Sequence, residues 1–81
     1  MPKMPRNISG RELCRILGKH DYSINRQVGS HIRLISNKMG NQHAITIPDH
    51  NPLKIGTLNK ILKDVADYLK TNKDFIITDC F

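Results

Sequence analysis

The sequence lacks any long apolar stretch. Its longest unbroken apolar run, residues 75–77, is three residues long, whereas a helix that crosses a membrane needs about 20 apolar residues. The residues after Met1 also lack the apolar core of a signal peptide. We therefore expect a chain that has no contact with a membrane and resides in the cytoplasm.

Cysteine and regularly spaced metal ligands are scarce. Cys14 and Cys80 are the only cysteines, and two thiols do not make the disulfide framework of a small secreted domain. We expect both thiols to be reduced. The 4 histidines form no H-x-x-x-H pair, and the chain has no C-x-x-C pair, so the spacing predicts no metal site.

Two common devices for binding nucleotides are also missing. The 5 glycines form neither a G-x-G-x-x-G nor a G-K-[ST] loop, so we expect no nucleotide and no other small-molecule cofactor. Aromatic residues make up 5% of the chain, and none lies within residues 31–47. A sheet that stacks nucleic-acid bases on aromatic rings is therefore not expected.

Acidic residues are few, and the positive charge is concentrated in the first half of the chain. Lys and Arg number 13 against 7 Asp and Glu, a net charge of +6. Residues 1–40 hold 8 basic and 2 acidic residues, and residues 41–81 hold 5 of each. All the arginines lie in the first half, and arginine suits bidentate phosphate contacts. This distribution favours a phosphate-bearing partner over a merely solubilising surface.

The spacing of apolar residues predicts five regular elements. Ser9 and Glu12 form an S-x-x-E capping box, which predicts that a helix begins at Gly10 and ends near Leu17. Alternation over residues 22–28 predicts a half-buried strand, and a two-residue turn at 29–30 leads into a second strand at 31–36. Residues 43–47 predict a third strand. The second helix has these apolar residues on one face: Leu58, Ile61, Leu62, Val65 and Leu69.

The order α-β-β-β-α predicts an α+β domain whose three-stranded antiparallel sheet carries two helices on one face. We assign this domain to residues 8–70. Residues 1–7, which contain two prolines, are expected to form a flexible basic arm. Residues 71–81 form a short C-terminal extension, whose apolar residues 75–78 predict either a fourth strand or a docked segment.

His31 is the remaining candidate for chemistry. It follows the 29–30 turn directly and shares a strand face with Arg33. Imidazoles ordinarily titrate near pH ~6.5 and can therefore accept or donate a proton. RNA supplies its own nucleophile, the 2′-hydroxyl. A small protein can therefore cleave RNA without a metal, unless this residue is simply an exposed histidine at the end of a strand.

The chain resembles the HicA toxins of HicA–HicB toxin–antitoxin modules. The likeness covers residues 9–65 and rests on an ordered set of motifs: S-G-R-E-L at 9–13, G-S-H at 29–31, I-T-I-P at 45–48 with His50 after it, and G-T-L at 56–58. The resemblance implies a double-stranded-RNA-binding-domain-like fold. It also implies an endoribonuclease that blocks translation by cleaving mRNA, with His31 as the catalytic histidine.

The same resemblance implies a partner and a set of binding residues. The partner is a HicB-like antitoxin that covers the active site. Gly29 and Ser30 are expected to lie at the RNA. His50 matches the P-x-H position of the family and is a candidate for a secondary role, with capping of the loop before the second helix as the alternative. As the RNA-binding cations we take Arg26, Arg33, Lys38, Arg11, Arg15 and Lys19. A non-catalytic RNA-binding module of the same fold is the alternative, and the intact G-S-H motif argues against it because Lys or Arg would hold phosphate at any pH.

The chain also differs from the family pattern in two places. Family members commonly finish with a short acidic helix, whereas residues 74–81 here look strand-like. Val28 stands where many members carry a polar residue before G-S-H. Neither difference touches His31.

Overall fold

The computed structural model describes residues 5–81. Residues 1–4 of the predicted N-terminal arm lie outside the described residues. The helices and strands, in chain order, are α1 (Gly10–Leu17), β1 (Ser23–Val28), β2 (His31–Ser36), β3 (His43–Pro48), α2 (Ile55–Tyr68) and α3 (Lys73–Cys80), with a 3₁₀ turn at Gly18–His20. None of the helices within residues 5–81 has the length and apolar composition that crossing a bilayer requires.

The strands form one antiparallel sheet in the order β1-β2-β3. Its inner face packs with the helices in a single core. Its outer face carries the exposed residues Arg26, His31 and Thr46, and we call it the open face. This arrangement is the predicted α+β fold, and it is consistent with a double-stranded-RNA-binding-domain-like architecture. The most deeply buried apolar side chains are Leu13, Leu17, Ile32, Leu34, Ile47, Leu58, Leu62, Val65 and Ile76.

The start of α1 confirms Ser9 as the predicted N-cap, while the Glu12 carboxylate bonds to the Ser9 hydroxyl rather than to the Ser9 backbone N–H of a full capping box. The Ser9 hydroxyl accepts a hydrogen bond from the Glu12 backbone N–H at 3.1 Å and donates one to the Glu12 carboxylate at 3.3 Å. Behind the cap, the Gly10 N–H donates to the His50 carbonyl at 2.9 Å. A Cβ atom on Gly10 would lie 1.9 Å from the carbonyl oxygen of Pro48. Glycine at this position therefore lets α1 approach the end of β3.

Replacing Gly10 with alanine is expected to destabilise the domain by about 1–3 kcal/mol, because the added methyl group must displace backbone rather than a flexible side chain. The measurement is the free energy of unfolding in urea. Gly18→Ala is the matched control, because a Cβ there meets nothing within 4 Å and the backbone is right-handed, with φ at −56°. Equal stability of the two variants would contradict this account of Gly10.

The first strand does not match its prediction as a half-buried strand. All six residues of β1 are exposed, including Ile24 at 61% and Val28 at 64%. The strand lies at an edge of the sheet, and its pairing shifts at Asn25: Ile24 faces Leu34 across the ladder, whereas Arg26 faces Arg33. This extra residue reverses the alternation, so Ile24 and Val28 lie on opposite faces of the sheet.

The C-terminal extension is a helix, and the prediction of a fourth strand is wrong. Asn72 caps α3 by accepting a hydrogen bond from the Phe75 N–H at 2.8 Å. The side chains of Ile76 and Ile77 are buried in the common core, and α3 packs on α2. The other reading of this segment, a docked extension, is therefore correct. The C-terminal helix of the family pattern is also present.

Candidate functional site

His31 occupies the first position of β2 and closes the β1–β2 hairpin. It pairs with Val28 across a two-residue turn, as predicted. Gly29 has φ at +58°, a left-handed conformation that a Gly-first hairpin turn requires and that other residues adopt at a cost. The His31 side chain is exposed on the open face of the sheet.

The turn before His31 is tied to the loop that follows β3. The Asp49 N–H donates to the Ser30 carbonyl at 2.7 Å. The Gln27 side-chain amide donates to the Gly29 carbonyl at 3.1 Å and to the Asp49 carboxylate at 3.4 Å. These bonds fix the G-S-H segment from two directions, so the backbone of His31 has a defined position.

The strand register brings His31 together with two predicted cations. Arg33 lies two residues along β2 on the same face, and Arg26 is its partner on β1. These residues, with Val28 and Thr46, line a depression of about 140 Å³, which we call the arginine depression. The sequence predicted that His31 and Arg33 share a face, and the strand register adds Arg26 to that face.

Arg26 and Arg33 form an electrostatically unfavourable pair. They are directly opposed in the ladder, where like charges destabilise a sheet. Within residues 5–81 neither guanidinium has an ion-pair or side-chain hydrogen-bond partner. A phosphate bound between them would remove the repulsion, so the arrangement suits an anionic ligand.

A second depression, of about 470 Å³, lies on the other side of His31. We call it the helix-side depression. It shares His31 and Thr46 with the arginine depression, and α2 contributes Thr57, Lys60 and Asp64. Sequence reasoning missed these α2 residues, because the polar side of a helix looks like a plain solvent-facing surface until β3 is known to pack beside it.

Arg11 and Arg15 lie in a different groove, between α1 and β1. Both line it together with apolar side chains such as Ile24. Arg11 also forms an ion pair with Asp49 at 3.1 Å and donates to the Gln27 amide oxygen at 3.5 Å. Arg11 is therefore connected through Asp49 to the turn before His31. Arg15 contributes only to the lining of the groove.

Lys19 and Lys38 lie at the far end of β2 from His31. The Ser36 hydroxyl donates to the His20 carbonyl and accepts from the Lys38 N–H, both at 3.3 Å. Ser36 is the last residue of β2 and His31 the first, so about 17 Å of strand separates the two ends. Neither lysine lines a depression with His31.

Two further histidines, His43 and His50, line neither depression. His43 shares a hydrogen bond of 2.6 Å with the Tyr22 hydroxyl and stacks on Tyr68 at a centroid distance of 4.7 Å. Burial raises the pKa of Tyr22, so the phenol stays protonated. His50 is exposed, and its carbonyl accepts from the Gly10 N–H. The structure does not bring His50 into either depression.

The cysteines show no sign of nucleophilic activation. Burial is the main cause that raises the pKa of the Cys14 thiol, and the same holds for Cys80. A reactive cysteine needs a lowered pKa, because the thiolate is the nucleophile. These shifts argue against either thiol as a nucleophile.

Comparison with known proteins gave one finding. A family model described as "HicA toxin of bacterial toxin-antitoxin" matches residues 10–66, which is more than half of the chain. The matched segment contains α1, the whole sheet, both arginines and His31, and it ends before α3. No curated protein and no solved structure gave a match.

Proposed function

Because the chain belongs to the HicA toxin family of bacterial toxin–antitoxin systems, we propose that it is an endoribonuclease that cleaves mRNA in the cytoplasm and so blocks translation. The observation that carries the proposal is the position of His31. An exposed imidazole on a rigid turn stands beside two opposed arginines that lack acidic partners within residues 5–81. This combination provides a proton-transfer group and a phosphate site in one place.

The reaction needs only groups that RNA and the open face supply. The 2′-oxygen attacks the adjacent phosphorus, its proton leaves to a base, and the bond from phosphorus to the 5′-oxygen breaks. The departing 5′-oxygen then takes up a proton. In our proposal His31 performs one of these two proton transfers. Arg26 and Arg33 bind the charged phosphate oxygens, whose negative charge grows in the transition state.

Cleavage is expected to continue when EDTA is present, because the nucleophile comes from the RNA and the proton transfers use an imidazole. The products should carry 2′,3′-cyclic phosphate or 3′-phosphate ends. The measurement is gel analysis of a defined RNA cleaved with and without the chelator, followed by identification of the ends. If EDTA stops cleavage and added Mg²⁺ restores it, this mechanism is wrong.

The proposed partner is a HicB-like antitoxin that binds the open face. The face is basic, so an antitoxin that covers His31 should present acidic groups to it, and such pairing mainly speeds association and fixes orientation. Arg33 lines the arginine depression together with His31 and is therefore the position to test.

Arg33→Glu is expected to weaken the complex with the antitoxin by about tenfold or more, because a favourable charge pair becomes a repulsive one. The measurement is the association rate and affinity of the purified pair at low salt. Lys63→Glu, which reverses a charge in the groove between α2 and α3, is the matched control. If both variants bind equally well, the antitoxin does not cover this face.

A further inference from the structure

One side-chain cluster lies at the other end of the molecule and takes no part in the proposed cleavage. His20, in the 3₁₀ turn after α1, is 6% exposed. Its Nε2 atom has no hydrogen-bond partner within residues 5–81. The Asp79 Oδ2 atom lies 3.2 Å from this nitrogen, at ion-pair distance. Burial of a polar nitrogen without a hydrogen bond is unfavourable, which makes this nitrogen a candidate ligand atom.

The neighbouring donors match one class of partner. The cluster contains an imidazole nitrogen, a carboxylate oxygen from Asp79 and a thiol sulfur from Cys80, and these ligand atoms all lie within 4.8 Å of one another. Nitrogen, oxygen and sulfur together are the ligand set of Zn²⁺. Two ligand atoms bound tetrahedrally to the same zinc ion stand about 3.3 Å apart, close to the separation of His20 and Asp79.

Lys19 orients the carboxylate. Its ammonium group donates to the Asp79 backbone carbonyl at 2.8 Å and lies 3.4 Å from the Oδ1 atom. The Oδ2 atom of the same carboxylate is the one that faces His20. Coordination requires the Cys80 sulfur, which lies within 4.8 Å of the other two ligand atoms, to move closer to them. Three protein ligands leave the fourth position of a tetrahedral ion for water.

We propose that His20, Asp79 and Cys80 bind one Zn²⁺ ion, which fastens α3 to the 3₁₀ turn. On binding, the Cys80 thiol releases its proton to solvent and coordinates as the thiolate. The sequence predicted no metal because its ligands come from opposite ends of the chain and form no spaced motif. The site includes α3, which lies outside the segment matched by the family model. It stands apart from His31, so removing the ion lowers stability without stopping RNA cleavage.

The test uses the full chain without an affinity tag, because a polyhistidine tag would itself bind the ion. Metal-free protein is titrated with Co²⁺, which reports a thiolate ligand through its charge-transfer absorption, and then with Zn²⁺. The same samples are unfolded thermally with and without Zn²⁺. Cys80→Ser and Asp79→Asn remove one ligand each and leave His20 in place to preserve the core. Their matched controls are Cys14→Ala and Asp74→Asn, the latter on the same helix as Asp79.

The expected result is one bound ion per chain, a thiolate–cobalt band that Zn²⁺ abolishes, and a higher melting temperature in the presence of Zn²⁺. Cys80→Ser and Asp79→Asn should each lower affinity at least about tenfold, while the controls bind as the wild-type protein does. The proposal is overturned if the wild-type chain binds no ion, in which case His20 and Asp79 form a simple ion pair. It is also overturned if Cys80→Ser binds Zn²⁺ with unchanged affinity.

Discussion

Replacing His31 with alanine is expected to lower the rate of RNA cleavage by about 10²–10⁴-fold, the usual contribution of one positioned acid–base group. The side chain is exposed and makes no hydrogen bond within residues 5–81, so the free energy of unfolding should change by no more than about 0.5 kcal/mol. The measurement is single-turnover cleavage of a defined RNA, with growth arrest on expression as a second readout. His31→Gln, which keeps polarity but transfers no proton near neutral pH, should lose as much activity.

RNA affinity must be measured on the same variants, since a histidine could contribute by binding alone. If both variants bind RNA as the wild-type protein does and cleave it slowly, His31 acts in the chemical step. A wild-type cleavage rate in either variant would exclude His31 as the acid–base group. Loss of binding in step with loss of cleavage would mean that His31 acts as a phosphate contact rather than as the acid–base group.

Removing the opposed arginines is expected to have the second largest effect. Arg26→Ala and Arg33→Ala should each reduce the slope of log K for RNA against log salt by about one, because each removes one phosphate contact. In the double variant this slope should fall by about two. At the same time the free energy of unfolding should stay constant or rise by about 0.2–1 kcal/mol, because two like charges no longer oppose each other in the ladder.

That combination of weaker binding and unchanged or greater stability separates a binding role from a structural one. Lys63→Ala is the matched control, since Lys63 lies in the groove between α2 and α3 and should leave the salt slope unchanged. Lys60→Ala should weaken binding, because Lys60 lines the helix-side depression with His31. An equal loss of slope for Lys63→Ala and Arg33→Ala would mean that the RNA does not follow the open face.

Local signals in the sequence were sufficient to predict the parts of the fold that position the site. The N-cap at Ser9, the Gly-first turn at Gly29 and the alternation of β2 each depend on neighbouring residues, and each was correct. The exposure of β1 was missed because a bulge at Asn25 depends on pairing with a second strand. The helical nature of α3 was missed because residues 74–81 look strand-like when the cap that Asn72 forms for this helix is not recognised.

The site was only partly predictable, because some of its residues come together only through contacts between distant parts of the chain. Arg26, Arg33 and His31 share a face through strand register, which sequence alternation largely determines. Lys60 and Asp64 line a depression together with His31 only because α2 packs beside β3. Lys19 was expected to contact RNA, but α3 brings the Asp79 carboxylate to it, a contact between distant parts of the chain that spacing does not reveal.

The central claim, RNA cleavage by 2′-hydroxyl attack at the open face, is tested most directly with two oligonucleotides of one sequence. One is RNA, and the other carries 2′-deoxynucleotides at every position that the protein cuts. The account predicts that the protein binds both through their phosphates, cleaves only the RNA, and leaves 2′,3′-cyclic phosphate or 3′-phosphate ends. Cleavage of the deoxy-substituted strand would contradict the mechanism, and binding of RNA without any cleavage would contradict the enzyme itself.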